Sequence, residues 1–155
     1  MDVWALRRAS LPRGLSTVFA ALGDLQYRYD WVISDTDIYY RPDTPQEVKA
    51  RWGWTGLLMD GAELTRHLES GYLNLISGVF SAVPAGTRPE AVWNYLPGWE
   101  VDFCSPGYTF QTPLTQLELF CYDGYACVLV CPAAFSAGLR RMLPNALPVE
   151  EFFRR

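Results

Sequence analysis

The segment Leu117–Val130 constrains the fold more than any other. It reads Leu-Glu-Leu-Phe-Cys-Tyr, then Asp123-Gly124, then Tyr-Ala-Cys-Val-Leu-Val. Two β-rich runs around an Asp-Gly step predict an antiparallel hairpin, because that step favours the type I′ turn whose twist matches the strands. Residues 72–83 form a second apolar run. It is long for a strand, but Asn74, Ser77, Gly78 and Ser81 make it a poor helix. A strand buried on both faces for much of its length is the expectation.

Helix signals lie between the β runs. Asp60-Gly61-Ala62-Glu63 is the clearest start: Asp60 is placed as an N-cap with Glu63 at the capping-box position. That helix is predicted to run to Ser70 and stop at Gly71. Leu15, Val18, Phe19 and Leu22 recur at helical spacing, with Ser16 as a candidate cap and Gly23 as a stop. Thr44 is placed to cap a short helix starting at Pro45, and Pro89 opens another that runs to Leu96. Pro132 opens a further helix through Met142, with Phe135, Leu139, Met142 and Leu143 as its apolar stripe. A last helical turn is expected around Val149–Phe153. Residues 27–40 are aromatic and β-branched, interrupted by Ser34-Asp35-Thr36-Asp37; these turn formers predict a β-hairpin with an acidic tip. Further strands are expected near Leu57–Met59 and at Trp99–Cys104. The whole reads as α+β: a single domain of 155 residues with a mostly antiparallel central sheet of roughly five or six strands and three to five short helices.

Charge limits the partners. The net charge is −4, but residues 30–123 alone carry −8 while each end carries +2. An acidic body repels phosphate backbones, so nucleic acid is not an expected partner. A basic protein would be drawn in faster. No run approaches the ~18 apolar residues of a membrane span. The first residues lack a secretory pattern, which makes the reducing cytoplasm the expected location. Cys104, Cys121, Cys127 and Cys131 show no C-x-x-C spacing, and buried free thiols are expected instead of a metal site or disulfide.

Catalytic motifs are missing from the sequence. His67 is the sole histidine, placed on a helix one turn from Glu63, and no Ser or Cys nucleophile motif accompanies it. Phosphate-cradling glycine patterns do not occur. No cofactor is implied, and no enzyme activity is expected. Asp35 and Asp37 read as turn-capping residues or as a partner-facing acidic tip. Tyr39, Tyr40, Trp52 and Trp54 read either as core or as anchors around the same loop, where Asp43 adds a further acid. The candidate partner-binding set is therefore Asp35, Asp37, Tyr39, Tyr40, Asp43, Trp52 and Trp54.

The segments Tyr29-Asp30-Trp31-Val32-Ile33, Asp60-Gly61-Ala62-Glu63-Leu64 and Leu75-Ile76-Ser77-Gly78-Val79-Phe80-Ser81-Ala82-Val83-Pro84 follow one another in an order that resembles small bacterial immunity proteins of polymorphic toxin systems. The resemblance covers roughly residues 29–84 and is structural in kind. It implies a protein that occludes a cognate toxin and carries no functional residue across. Two other classes compete with it. One is a general interaction or regulatory module using the same surface. The other is a small-molecule-binding domain or enzyme, with Trp93, Tyr95, Trp99 and Tyr108 around a pocket.

Overall fold

A computed structural model describes residues 1–7, 14–53, 56–93, 108, 110, 112–122 and 126–154, with Tyr122 by its backbone only. The elements run β1 (Asp2–Arg7), α1 (Leu15–Leu22), α2 (Leu25–Arg28), β2 (Tyr29–Tyr40), α3 (Gln46–Trp52), β3 (Leu57–Asp60), α4 (Gly61–Glu69), β4 (Leu73–Pro84), α5 (Pro89–Trp93), β5 (Leu117–Tyr122), β6 (Ala126–Cys131), α6 (Ala133–Met142), β7 (Leu147–Pro148) and α7 (Val149–Phe152). The strands form one seven-stranded sheet in the order β3-β2-β4-β5-β6-β1-β7. Every pairing in it is antiparallel. The fold is α+β, with more strands and short helices than the sequence predicts.

β4 sits inside the sheet, between β2 and β5. From Gly78 to Val83 every residue is buried, as its unbroken apolar run predicts. One sheet face carries Trp31, Ile33, Phe80, Ala82, Leu119 and Leu129 and packs beneath α1, α4 and α6 in the main core. Phe19 of α1 meets Trp31 and Phe80 edge-on, with ring centroids 4.7 and 5.7 Å away. The indole N–H of Trp31 donates to the Gln26 carbonyl at 3.0 Å, so the ring is buried without an orphaned donor. The second face carries Val79, Phe120, Val128 and Val130, packed against Tyr108, Phe110 and Phe152.

Local signals hold where they were strongest. Asp60 accepts from the Glu63 N–H at 2.7 Å, Ser70 closes α4, and Gly71 follows at φ +73°. β5 and β6 pair as predicted, but the register sets Tyr122 opposite Ala126. The Asp123-Gly124 step lies outside the described residues.

The predicted 27–40 hairpin is a correction. Those residues form the short α2 and then one continuous strand, β2, which pairs along its length with β4 from Tyr29↔Pro84 to Tyr40↔Leu73. The turn formers instead make a bulge: two β2 residues, Asp35 and Thr36, lie opposite Gly78 alone. Asp35 adopts φ +52°, the left-handed conformation that Asp tolerates better than most residues. Ile76 is a compensating extra residue on β4, which restores the original register from Ile38↔Leu75 onward.

Other expectations are amended. β1 is a strand that the sequence reading missed, paired to β6 from Asp2↔Cys131 to Arg7↔Ala126. Gly14, not Ser16, occupies the N-cap of α1; the Ser16 hydroxyl donates to the Leu68 carbonyl at 3.1 Å and ties α1 to α4. Pro45 occupies the N-cap of α3, while Thr44 donates to the Tyr72 carbonyl at 3.2 Å. Met142 is exposed, although Leu139 and Leu143 of the same stripe are buried. The predicted strand at 99–104 and the helix beyond Trp93 lie outside the described residues.

Gly61 shows how closely α4 approaches α2. A Cβ there would stand 1.8 Å from the Gln26 carbonyl oxygen and 3.1 Å from the Tyr27 Cα, both backbone atoms. Gly61→Ala is expected to cost at least ~3 kcal/mol, since backbone must move. Gly138 within α6 has nothing within 4 Å of a Cβ, so Gly138→Ala is expected to stabilise by about 0.5–1 kcal/mol. Urea unfolding of the two variants checks both signs.

Candidate functional site: an acidic two-stranded arm

β2 outruns its neighbours. β3 pairs only with Asp30–Ile33, and β5 pairs only with Gly78–Ala82 of β4. Beyond those residues, Asp37–Tyr40 and Leu73–Ser77 pair with each other and, among the described residues, with no third strand. They form a two-stranded arm. Its inner face carries Ile38, Tyr40, Leu73 and Leu75, which pack against the main core. Its outer face presents Asp37 and Tyr39, the latter 63% exposed. The alternation follows from the two-residue period of a strand.

The open end of the arm is fastened. Arg41 holds Asp43 through two N–H···O contacts of 3.1 Å. Thr44, buried, bonds the Tyr72 carbonyl and so ties the chain leaving β2 to the chain entering β4.

Asp35 stands apart electrostatically. It is half-buried, and among the described residues no hydrogen bond or ion pair reaches its carboxylate. Burial raises its pKa above the ordinary value. A cation brought beside it would relieve that desolvation. Burial likewise raises the Tyr40 phenol.

The structure thus brings Asp35, Asp37, Tyr39 and Tyr40 onto one strand. It does not bring all seven candidates together. Trp52 is corrected: it is 2% exposed, lies in the main core, and meets His67 edge-on at 5.6 Å. No surface is left on it for a partner. Its indole N–H finds no hydrogen-bond partner among the described residues. Asp43 is exposed but already held by Arg41, which weakens it as a free charge. Trp54 lies outside the described residues.

His67 is a packed helix residue. Its Nε2 lies 3.8 Å from Glu63, whose carboxylate is held by Arg51 at 3.0 Å. Burial lowers its pKa, and the Glu63 charge opposes that shift. No cluster of three or more metal-ligating side chains occurs among the described residues. Cys121, Cys127 and Cys131 are buried, with the Cys121 and Cys127 sulfurs 3.7 Å apart across the β5–β6 pair. Burial and the nearby Asp2 push the Cys131 thiol up to about 11.

A second polar constellation escaped the sequence. Glu118 is fully buried on the second face. One carboxylate oxygen accepts from the Ser81 hydroxyl at 2.8 Å, and the other accepts from the Tyr108 hydroxyl. Burial, and then the Glu118 charge, raise the Tyr108 pKa far above its usual 10.0. Alternation along Leu117-Glu-Leu-Phe hides this site, since a lone acid between apolar residues reads as the solvent face. Both oxygens are occupied by donors, so the group fastens the chain around Tyr108 to the sheet.

Of the residues proposed for a pocket, Trp93 is 38% exposed, Tyr108 is committed to Glu118, and Tyr95 and Trp99 lie outside the described residues. A dent between α1 and α4, lined by Phe19, Gln26, Thr65 and Leu68, holds about 30 Å³. That suits a water or two; small-molecule sites run to several hundred Å³. No helix is long and apolar enough to cross a membrane among the described residues. No protein-family model matches the chain, and neither a curated protein nor a solved structure matches it.

Tyr108→Phe keeps the ring edge-on to Phe120 but removes a donor from a buried carboxylate. A loss of about 1–3 kcal/mol is expected. The raised folded-state pKa also carries a sign. Stability from a neutral Tyr108 is complete below pH 10 and declines as pH rises past 10, where the unfolded phenol ionises first. Thermal melts from pH 8 to pH 11 should show a shallower alkaline decline in Tyr108→Phe than in the parent; equal slopes would contradict the assignment.

Proposed function

We propose that this chain is an immunity protein: it captures a cognate bacterial toxin of basic character and occludes it without chemistry of its own. The observation that carries the reading is the arm. It offers a half-buried carboxylate at Asp35 that no described residue pairs with, an exposed carboxylate at Asp37 and an exposed ring at Tyr39 on one fastened strand. Acidic groups steer a basic partner into encounter, and an aromatic anchor slows its release. The acidic stretch from residue 30 to residue 123 extends the attracting field. A cytoplasmic location and the absence of nucleic-acid or membrane partners belong to the same proposal. The competing class is an interaction module of the same surface whose partner is not toxic.

The arrangement makes the roles separable. Asp35→Asn with Asp37→Asn removes charge while Asn still tolerates the left-handed backbone at position 35. Association with a basic partner is expected to slow about tenfold at low ionic strength, and the difference should shrink as salt is raised. Tyr39→Ala should instead raise the dissociation rate, at a cost of about 1–2 kcal/mol.

The decisive test is co-expression with the product of the neighbouring reading frame, scoring growth and co-purification. Growth rescue with a stable complex is the expected result. Rescue without a complex would indicate an enzyme that reverses damage, and a complex with a harmless product would favour the interaction module. A complex that survives both the double Asn variant and Tyr39→Ala unchanged would remove the arm from the interface.

A further inference from the structure

The sheet treats its edges unequally. At one end the edge strand β3 is four residues long, and its Leu58 carbonyl accepts from the Arg51 guanidinium at 3.0 Å. Arg51 is itself held by Glu63. At the other end β7 has two residues, one of them Pro148, which lacks a backbone donor. Short strands, proline and a covering cation are the usual ways of blunting a sheet edge against further pairing. The outer edge of β2 at Asp37–Tyr40 has none of these among the described residues.

We propose that this edge is a strand-addition site, and that the captured protein joins it as an extended segment alternating basic and aliphatic side chains. The proposal rests on the reading of the arm as the partner-binding surface and specifies its mode. A strand laid along Asp37–Tyr40 lies about 4.8 Å away and alternates in the same period. Its outward side chains stand beside Asp37 and Tyr39, where Lys or Arg pairs with the carboxylate and packs on the ring. Its inward side chains stand beside Ile38 and Tyr40, which already rest on the main core and call for aliphatic neighbours. At the start of this edge waits Asp35, half-buried and, among the described residues, without a cation beside it.

The same charges select against a second copy of this chain. Two copies meeting at this edge would bring two acidic bodies together, and bodies of like charge repel. The commitment is therefore to a basic segment of another protein.

The test uses the whole protein and an acetylated, amidated heptapeptide, Thr-Arg-Val-Lys-Val-Arg-Thr. A second peptide carries the same side chains but is N-methylated at every interior residue, which keeps the charge and removes backbone donors. Amide hydrogen exchange is followed at Asp37–Tyr40, with binding measured by calorimetry. The parent peptide should bind and protect those amides, and the N-methylated one should bind at least tenfold more weakly. Asp37→Lys, an exposed substitution that leaves the core untouched, should reverse the preference toward a peptide with Glu in place of each basic residue. Equal binding of the two peptides, or no binding of either, overturns strand addition. So does a dimer of the protein alone that protects the same amides. These outcomes do not decide toxin neutralisation, which is read from growth in the co-expression experiment. A captured toxin that leaves Asp37–Tyr40 unprotected would overturn only the mode proposed here.

Discussion

The pairing of β2 with β4 is the constraint on which the other elements depend. It joins Tyr29 to Pro84 at one end and Tyr40 to Leu73 at the other. At the first end both strands have partners on their far sides, and β4 is buried on both faces. There the pairing places Trp31, Ile33, Phe80 and Ala82 under α1 and α4, and the main core forms around them. Asp30 accepts from the Gly86 N–H at 2.7 Å and secures the chain as it leaves β4. Toward the second end the flanking strands stop while the pair continues. The arm is thus the remainder of the longest pairing in the sheet, anchored by a core that lies mostly elsewhere.

Much of this was legible where a signal is complete within a few residues. The Asp60 cap, the Gly71 stop and the β5–β6 pair depend on local chemistry, and tertiary contacts leave them unchanged. The misreading of Ser34-Asp35-Thr36-Asp37 has a physical cause. A tight turn and a bulge draw on the same residues, because both need a backbone that can leave the extended region. Only the pairing partner distinguishes them, and that partner lies some forty residues downstream. β1 was invisible for another reason. Val3 and Ala5 face one layer while Trp4 and Leu6 face the other, so a short strand buried on both sides shows no alternation. Trp52 was ambiguous because an aromatic residue serves a core or an interface equally well, and sequence carries no measure of exposure.

Cations explain why the arm stays acidic. Arg51 is taken by Glu63 and the Leu58 carbonyl, and Arg41 by Asp43. Arg140 lies over the Trp4 ring at 4.9 Å, and Arg7 over the Phe152 ring at 5.4 Å. These guanidinium groups are spent on an edge, a loop and rings, and among the described residues none pairs with Asp35 or Asp37. An exposed pair such as Arg41–Asp43 contributes little stability, but it neutralises Asp43 and leaves the charge of the arm concentrated on β2. The sequence count of acids overstates the charge at this face, because Asp43 is already paired.

The bulge connects this electrostatic picture to the backbone. With two β2 residues set against Gly78, the chain must bend and twist more strongly at Asp35. The left-handed Asp35 conformation costs on the order of 1 kcal/mol or more for a residue with a Cβ. Gly78 completes the accommodation, because a Cβ there would come within 3.3 Å of the Thr36 methyl and 3.4 Å of the Phe80 ring. The bulge begins two residues after the last β2–β3 pair, at Ile33↔Leu57. The irregularity that holds Asp35 in a half-buried position therefore lies close to the place where, among the described residues, the β2–β3 pairing ends. The bulge positions the Asp35 carboxylate close to the point where, among the described residues, β2 and β4 continue as a pair alone, and that coincidence gives the arm a physical identity distinct from the rest of the sheet.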